Sequence, residues 1–416
     1  MWKRWRTRIL LFLAVLGPGF ITANVDNDSG GILTYSQAGA QFGYTLLWTM
    51  IPITISLIVV QEMCARMGVV TGKGLSDLIR EEFGLRLTVV LMVLLVVVNY
   101  TNVVAEFIGI AGSLHLFHVT KFISVPICGL LVWLLVVRGN YKSTEKIFLV
   151  ASVVYIAYIF AGVLSQPSWH EALLATVQLP PRTVWRQNQY IYMAISVVGT
   201  TIAPWMQFYL QSSIVEKGVR VKDYAASRLD VIIGSFFTDL VAWFIIVACA
   251  ATLYVHGMGA INFASDAAEA MRPLAGDYAF ILFAFGLFNA SLFAASILPL
   301  STAYTVCEGL GVESGVDKTF KEAPFFYWLY SLLIAGGAVT VLVLPDAQLV
   351  NFAILSQALN GILLPVVIIL MLLLINRRDL MGEHRNSRLW NVIAWGTSAI
   401  VIGLTMMMLW SMIPGH

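Results

Sequence analysis

Apolar runs separated by short charged stretches fill the chain, and eleven of them reach the ~20 residues a helix needs to cross a bilayer. They lie near 9–36, 45–67, 88–114, 121–138, 146–166, 189–214, 229–255, 277–305, 325–344, 347–376 and 389–412. Two of them are interrupted. The first contains GPGFITANVDNDSGG at 17–31, where aspartates, asparagines and glycines stand inside an apolar stretch. Carboxylates at bilayer depth are costly and commonly line an ion or substrate pathway. The flanks at 9–16 and 32–40 predict two half-helices around an unwound middle. The sixth run reads ISVVGTTIAPWMQFYLQSS at 195–213, broken at Gly199, Thr200, Thr201 and Pro204. Proline lacks the N–H and clashes with the preceding turn, so carbonyls are freed that need other partners. A metal ion is one such partner; a kink made only for packing is the alternative. Breaks in runs one and six predict two five-helix repeats of opposite orientation, with ions held near the midplane. The first repeat is placed at 9–166, the second at 189–376, and an eleventh helix at 389–412. The expected fold class is an all-α polytopic membrane protein with helices 1 and 6 unwound.

Composition supports the bilayer reading. The 416 residues are 59% hydrophobic and 12% charged, against about 25% charged for a soluble domain. With the N-terminus inside, every Lys and Arg except Lys121, Arg182, Arg186 and Arg272 falls at a cytoplasmic end. That bias predicts a cytoplasmic N-terminus and an extracellular C-terminus. The opening MWKRWRTR before an apolar run has a signal peptide as its alternative reading. No convincing small-residue cleavage site follows, and the polar break comes where an h-region should end. Cys64, Cys128, Cys249 and Cys307 form no CxxC pair, so neither a disulfide nor a zinc site is expected. The longest loops, near 167–188 and 256–276, are too short for a soluble domain. The net charge of +2 says little about partners. The bilayer, in a bacterial cell membrane, is the expected setting; no nucleic-acid partner is expected, and the oligomeric state is not legible.

Several segments resemble the NRAMP family of divalent-metal transporters. They are GPGF at 17–20, AGAQFGYTLLW at 38–48, VTGKGLSDLIREEFG at 70–84, AEFIGIAGSL at 105–114 and LSQALNGILLPVVIILMLLLINRRDLMGE at 355–383. The resemblance covers nearly the whole chain in order. It implies a LeuT-like fold of inverted repeats, with the ion between the unwound parts of helices one and six. The site departs from the family's pattern. Where the family carries Asp-Pro-Gly-Asn, this chain has Asp28, Ser29, Gly30 and Gly31. The aspartate matches and the asparagine ligand has become Gly31. Where the family carries Met-Pro-His, this chain has Ala203, Pro204 and Trp205. These departures resemble the NRAMP-related magnesium transporters.

A thioether is a soft ligand, whereas oxygen and water suit Mg²⁺, Ca²⁺ and Mn²⁺. Mg²⁺ dehydrates reluctantly and binds through one or two carboxylates while keeping waters. Ala203 removes the sulfur and leaves room, so a partly hydrated hard ion is expected. Asp28 is the first ligand. Asp26 and Asn27 are candidates to replace the lost asparagine, directly or through water; a cap on the second half-helix is the alternative for Asp26, and a turn for Asn27. Ser29 is read as a hydroxyl cap more than as a metal contact. The resemblance implies a backbone-carbonyl role for Thr200; both Thr200 and Thr201 have bonding back to their own helix as the alternative. Gln357 holds a metal-bound water or glues helices together. Trp205, beside the site, is a pathway candidate, with filling space and closing the pocket floor as the alternative.

Glu106 matches an acidic position of the family's third helix and is either a proton relay or a buried hydrogen-bonded acid. Asp239 lines the pathway or bonds a neighbouring helix. Glu62 and Arg66, four residues apart, predict a local ion pair. The ninth span has no Lys, Arg, His, Asp or Glu, so uptake without proton coupling is expected. The expected function is Mg²⁺ and Mn²⁺ uptake by alternating access, with no cofactor and no enzymatic chemistry. A proton-coupled Mn²⁺ importer and a Na⁺-coupled amino-acid symporter are the alternatives.

Overall fold

The computed structural model describes residues 17–138, 141–257, 259, 261 and 264–411. The basic N-terminal segment, the start of the first span and the signal-peptide question lie outside the described residues. Within them the structure is helical, with no strand. The first span is split into α1 (Pro18–Val25) and α2 (Ser29–Phe42). A 3₁₀ stretch, Gly43–Thr49, then leads into α3 (Met50–Thr71). α4 (Leu75–Phe83), α5 (Leu85–His115), α6 (Lys121–Val137), α7 (Tyr141–Val153), α8 (Ile156–Leu164) and α9 (Trp169–Val177) follow. The second half contains α10 (Asn188–Thr201), α11 (Pro204–Lys217), α12 (Tyr224–Cys249), α13 (Ala264–Leu310) and α14 (Pro324–Val343). It closes with α15 (Asp346–Ile375), the short α16 (Arg378–Met381) and α17 (Arg388–Ser411).

Among the described residues, nine helical stretches are long and apolar enough to cross a bilayer, and α6 is a shorter apolar helix. One of the nine, Ser29–Thr71, runs from α2 into α3 and so serves two of the expected spans. Each of the eleven expected spans therefore has a helical counterpart. Helix also fills places read as loop. α13 begins at Ala264, well before the expected 277. α4 buries Leu75, Leu78 and Ile79 on one face, and this amphipathic spacing is invisible to a search for long apolar runs.

The broken spans lie at the centre. Nearly all of Asn188–Lys217 is buried, against about a quarter of Arg388–Met407. α12 packs along α1, α2 and α3, α10 lies on α15, and α5 runs beside α13. Apolar side chains such as Val90, Val93, Leu130 and Val343 point outward. Lipid tails are as apolar as these side chains, so hydrophobicity does not drive helices together there; small and polar residues do. Asn99 Nδ2 accordingly donates to Thr302 Oγ1 at 2.9 Å, joining α5 to α13. The expected Glu62–Arg66 pair forms at 3.0 Å. Arg66 also donates to the carbonyls of His384 and Arg385, and Tyr224 donates to Glu62, tying α3 to α12 and to the segment before α17.

Candidate metal centre

The first break is held open by two carboxylates. Asp28 is extended at φ −69°, ψ 178°, and caps α2 by accepting the Gly31 N–H at 2.6 Å. Glu106, from α5, accepts the Ser29 N–H at 3.1 Å. Anionic groups are favoured at a helix N-terminus, where unpaired N–H groups point outward. The cap is thus Asp28, not Ser29 or Asp26. A Ser29 hydroxyl placed as a cap would compete with a better acceptor one residue earlier, and it instead donates to the Ala105 carbonyl at 2.6 Å. The Asp28 and Glu106 carboxyls thus lie near each other, on neighbouring N–H groups at the start of α2.

The second break is made by Ile202 (φ −125°, ψ 58°) and Ala203 (φ −67°, ψ 138°), with Pro204 opening α11. Pro204 has no N–H to give the Thr200 carbonyl four residues earlier. The two threonines behave differently. Thr201 Oγ1 bonds back to the Val197 carbonyl at 2.8 Å and meets the Tyr35 hydroxyl at 2.8 Å, stitching α10 to α2. Thr200 Oγ1 is buried without a hydrogen-bond partner.

The two breaks converge on Gly31. A Cβ added there would stand 2.7 Å from the Asp26 carbonyl oxygen, 2.8 Å from Thr200 Oγ1 and 3.3 Å from Asp28 Oδ1. Three oxygens from both breaks therefore crowd around one glycine. An asparagine cannot enter this position without displacing backbone, which is a physical reason for glycine here. A Cβ on Gly30 would lie 2.0 Å from Gln357 Nε2. Asn360 orients that amide by donating to Gln357 Oε1 at 2.9 Å, and Asn360 is itself paired with Asn102 at 3.0 and 3.1 Å. Gln357 Nε2 lies on the Asp28 side and is buried without a hydrogen-bond partner. It is a donor, so it can hold a carboxylate or a water oxygen but not a metal directly.

The remaining candidates separate. Ala203 is buried at the start of α11, and Trp205 is buried with its ring against Tyr209 and its carbonyl accepting from Ser301 Oγ at 3.2 Å. Asn27 gives its amide to Thr238, to the carbonyl at 3.0 Å and to Oγ1 at 2.7 Å. Asp239, the next residue on α12, lies within electrostatic reach of the Asp26 carboxylate. Asp26 thus presents its carbonyl to the Gly31 cluster, while its carboxylate Oδ1 is buried without a donor. Asp239 also borders a groove of about 400 Å³ between α3, α9 and α12. Among the described residues no group of three His, Cys, Asp or Glu side chains forms a cage for a metal. Any ion at Gly31 would meet one or two carboxylates, with carbonyl, hydroxyl and water oxygens for the rest.

The sequence did not single out Asp230. This buried residue of α12 accepts the N–H groups of Gly17 at 2.8 Å, Gly19 at 2.8 Å and Phe20 at 3.1 Å. It caps α1 from more than two hundred residues away. The signal available was an acid at the start of an apolar span, together with the unpaired N–H groups of GPGF.

Residues 19–411 match the family described as natural resistance-associated macrophage protein-like. The chain is 28% identical to the divalent metal cation transporter MntH of Yersinia enterocolitica, over 98% of this chain and 97% of that protein. It is 27% identical to the MntH of Nostoc sp., over 94% and 89%. Its fold is similar to that of the Eremococcus coleocola manganese transporter, with a TM-score of 0.75 at 24% identity over 95% of this chain and 86% of that one. Mhp1, a nucleobase-cation-symport-1 family transporter, matches at a TM-score of 0.54 and 15% identity, over 95% and 93%. The all-α, LeuT-like fold expected from the sequence is the fold of this chain. The match across nearly the whole length, with both helix breaks inside it, makes the chain a member of the Nramp family.

Proposed function

We propose that the chain is a divalent metal cation transporter that imports Mg²⁺ and also Mn²⁺ by alternating access, without proton coupling. The observation that carries this reading is the oxygen cluster at Gly31: Asp28 Oδ1, the Asp26 carbonyl and Thr200 Oγ1, with Ala203 where a sulfur ligand would stand. Relatives named as divalent metal cation and manganese transporters support the substrate class. Few carboxylates and no thioether at 203 favour a hard ion that keeps part of its water. The unpartnered Gln357 Nε2 and Glu106 Oε1 support a role in holding that water.

The absence of Lys, Arg, His, Asp and Glu from α14 and the presence of Trp205 favour uptake driven by gradient and voltage. A membrane potential contributes ~2.3 kcal/mol per charge per 100 mV, enough to draw in a divalent ion. The expected setting is a bacterial plasma membrane with the N-terminus cytoplasmic, and repeats at 9–166 and 189–376. The second reading is proton-coupled Mn²⁺ import, favoured by the nearness of Glu106 to Asp28. Uptake into proteoliposomes with internal pH followed separates the two. Mg²⁺ uptake is expected to leave the interior pH unchanged; a metal-dependent acidification that disappears in Glu106→Gln would establish the second reading.

Selectivity gives another expected result. Ala203→Met adds a soft ligand and narrows the pocket, so competition should shift from Mg²⁺ toward Cd²⁺ and Mn²⁺. Pairing it with Gly31→Asn is not informative, because the new Cβ would strike the Asp26 carbonyl. An unchanged metal order in Ala203→Met would mean that selectivity does not reside at this position.

A further inference from the structure

We infer that Asp26, Asn27 and Asp239 form a second site for a hard divalent cation, separate from the one at Gly31. The inference rests on the divalent-cation reading above. Four buried oxygens lack any hydrogen-bond donor: Asp26 Oδ1, Asn27 Oδ1 and both carboxylate oxygens of Asp239. All three residues are at most 4% exposed. Buried acceptors are almost always satisfied, and an orphan costs about 1–3 kcal/mol. Four orphans on two facing elements therefore call for a missing partner.

The elements are locked together. Both amide hydrogens of Asn27 are engaged by Thr238, the neighbour of Asp239. That leaves the Asn27 carbonyl oxygen buried as an acceptor without a donor. The obvious protein donor is already committed: the Thr54 hydroxyl, which approaches Asp239, donates to the Met50 carbonyl at 2.7 Å. No lysine, arginine or histidine bonds to Asp26 or Asp239 among the described residues. Two carboxylates within electrostatic reach of each other repel unless a proton or a cation offsets their charge. Two carboxylates with an amide oxygen are a hard-ion ligand set.

Asp26 links the sites. Its carbonyl belongs to the Gly31 cluster while its side chain belongs to the Asp239 cluster. An ion can thus wait one residue away from the transport site.

The experiment counts bound Mn²⁺ and Mg²⁺ on the purified full chain by equilibrium dialysis and calorimetry, alongside uptake kinetics. Wild type is expected to bind two ions. Asp239→Asn and, independently, Asp26→Asn should each bind one, because Asp26→Asn keeps the carbonyl. Asp28→Ala should also retain one ion while losing transport. Asp239→Asn should raise KM for Mg²⁺ by roughly tenfold with little change in maximal rate, equivalent to ~1.4 kcal/mol of ion binding. A single ion in wild type that disappears in Asp28→Ala would show that the Asp26–Asp239 pair holds a proton instead, and would overturn the second site alone. Full transport by Asp28→Ala would overturn the Gly31 site whatever the count.

Discussion

Asp28→Ala is expected to abolish uptake of both Mg²⁺ and Mn²⁺ while the protein remains folded. The two halves of this expectation come from different magnitudes. As a cap, Asp28 supplies one acceptor to the Gly31 N–H, and losing an N-cap costs about 0.5–2 kcal/mol. Glu106 still holds the Ser29 N–H, so the start of α2 keeps part of its support. As a ligand, Asp28 is the carboxylate that meets the Asp26 carbonyl and Thr200 Oγ1 around Gly31. A hydrated divalent ion that binds through one or two carboxylates loses its main charge partner when that group is removed. The measurement is uptake into proteoliposomes by protein first shown to be monodisperse. Asp28→Asn sharpens the result, since it keeps an acceptor for the Gly31 N–H and removes the charge. Near-normal uptake by either variant would place the transport site elsewhere.

Asp230→Ala is expected to be the most destabilising single change in the central bundle. Its carboxylate satisfies three backbone N–H groups at the start of α1. Each buried donor left unsatisfied costs about 1–3 kcal/mol, so the sum exceeds the loss of an ordinary cap. Asp230→Asn keeps one oxygen but turns an amide toward donors, and should recover only part of the stability. Thermal unfolding in detergent and hydrogen exchange at residues 17–20 test this. The apparent Tm should fall and those amides should exchange faster, while α15 remains protected. An unchanged Tm with unchanged exchange at α1 would show that water replaces the carboxylate without cost. Because α1 is one half of the broken first span, a loosened α1 should also slow transport at saturating metal.

Much of this architecture is written in local sequence. Eleven apolar runs predict eleven helical counterparts because a helix in a bilayer must satisfy its own backbone and present apolar side chains to lipid. The breaks at Asp26–Asp28 and Ile202–Ala203 are visible as glycine, proline and acids inside apolar runs. What periodicity conceals is short or amphipathic structure. The α4 helix and the long N-terminal extension of α13 escaped for that reason.

The site divides along the same line. Residue chemistry alone marks Asp28 as a carboxylate at a helix break, Ala203 as a missing sulfur and α14 as lacking Lys, Arg, His, Asp and Glu. Only the tertiary structure decides that Thr200, rather than Thr201, turns a free hydroxyl to Gly31. It also decides that Gln357 offers a donor, that Asp26 splits its carbonyl and carboxylate between two clusters, and that Asp230 caps α1. These outcomes depend on hydrogen bonds between residues far apart in sequence, such as Asn27 with Thr238 and Gly17 with Asp230. A local pattern specifies which backbone groups are left unpaired; which distant side chain meets them is set by how the helices pack.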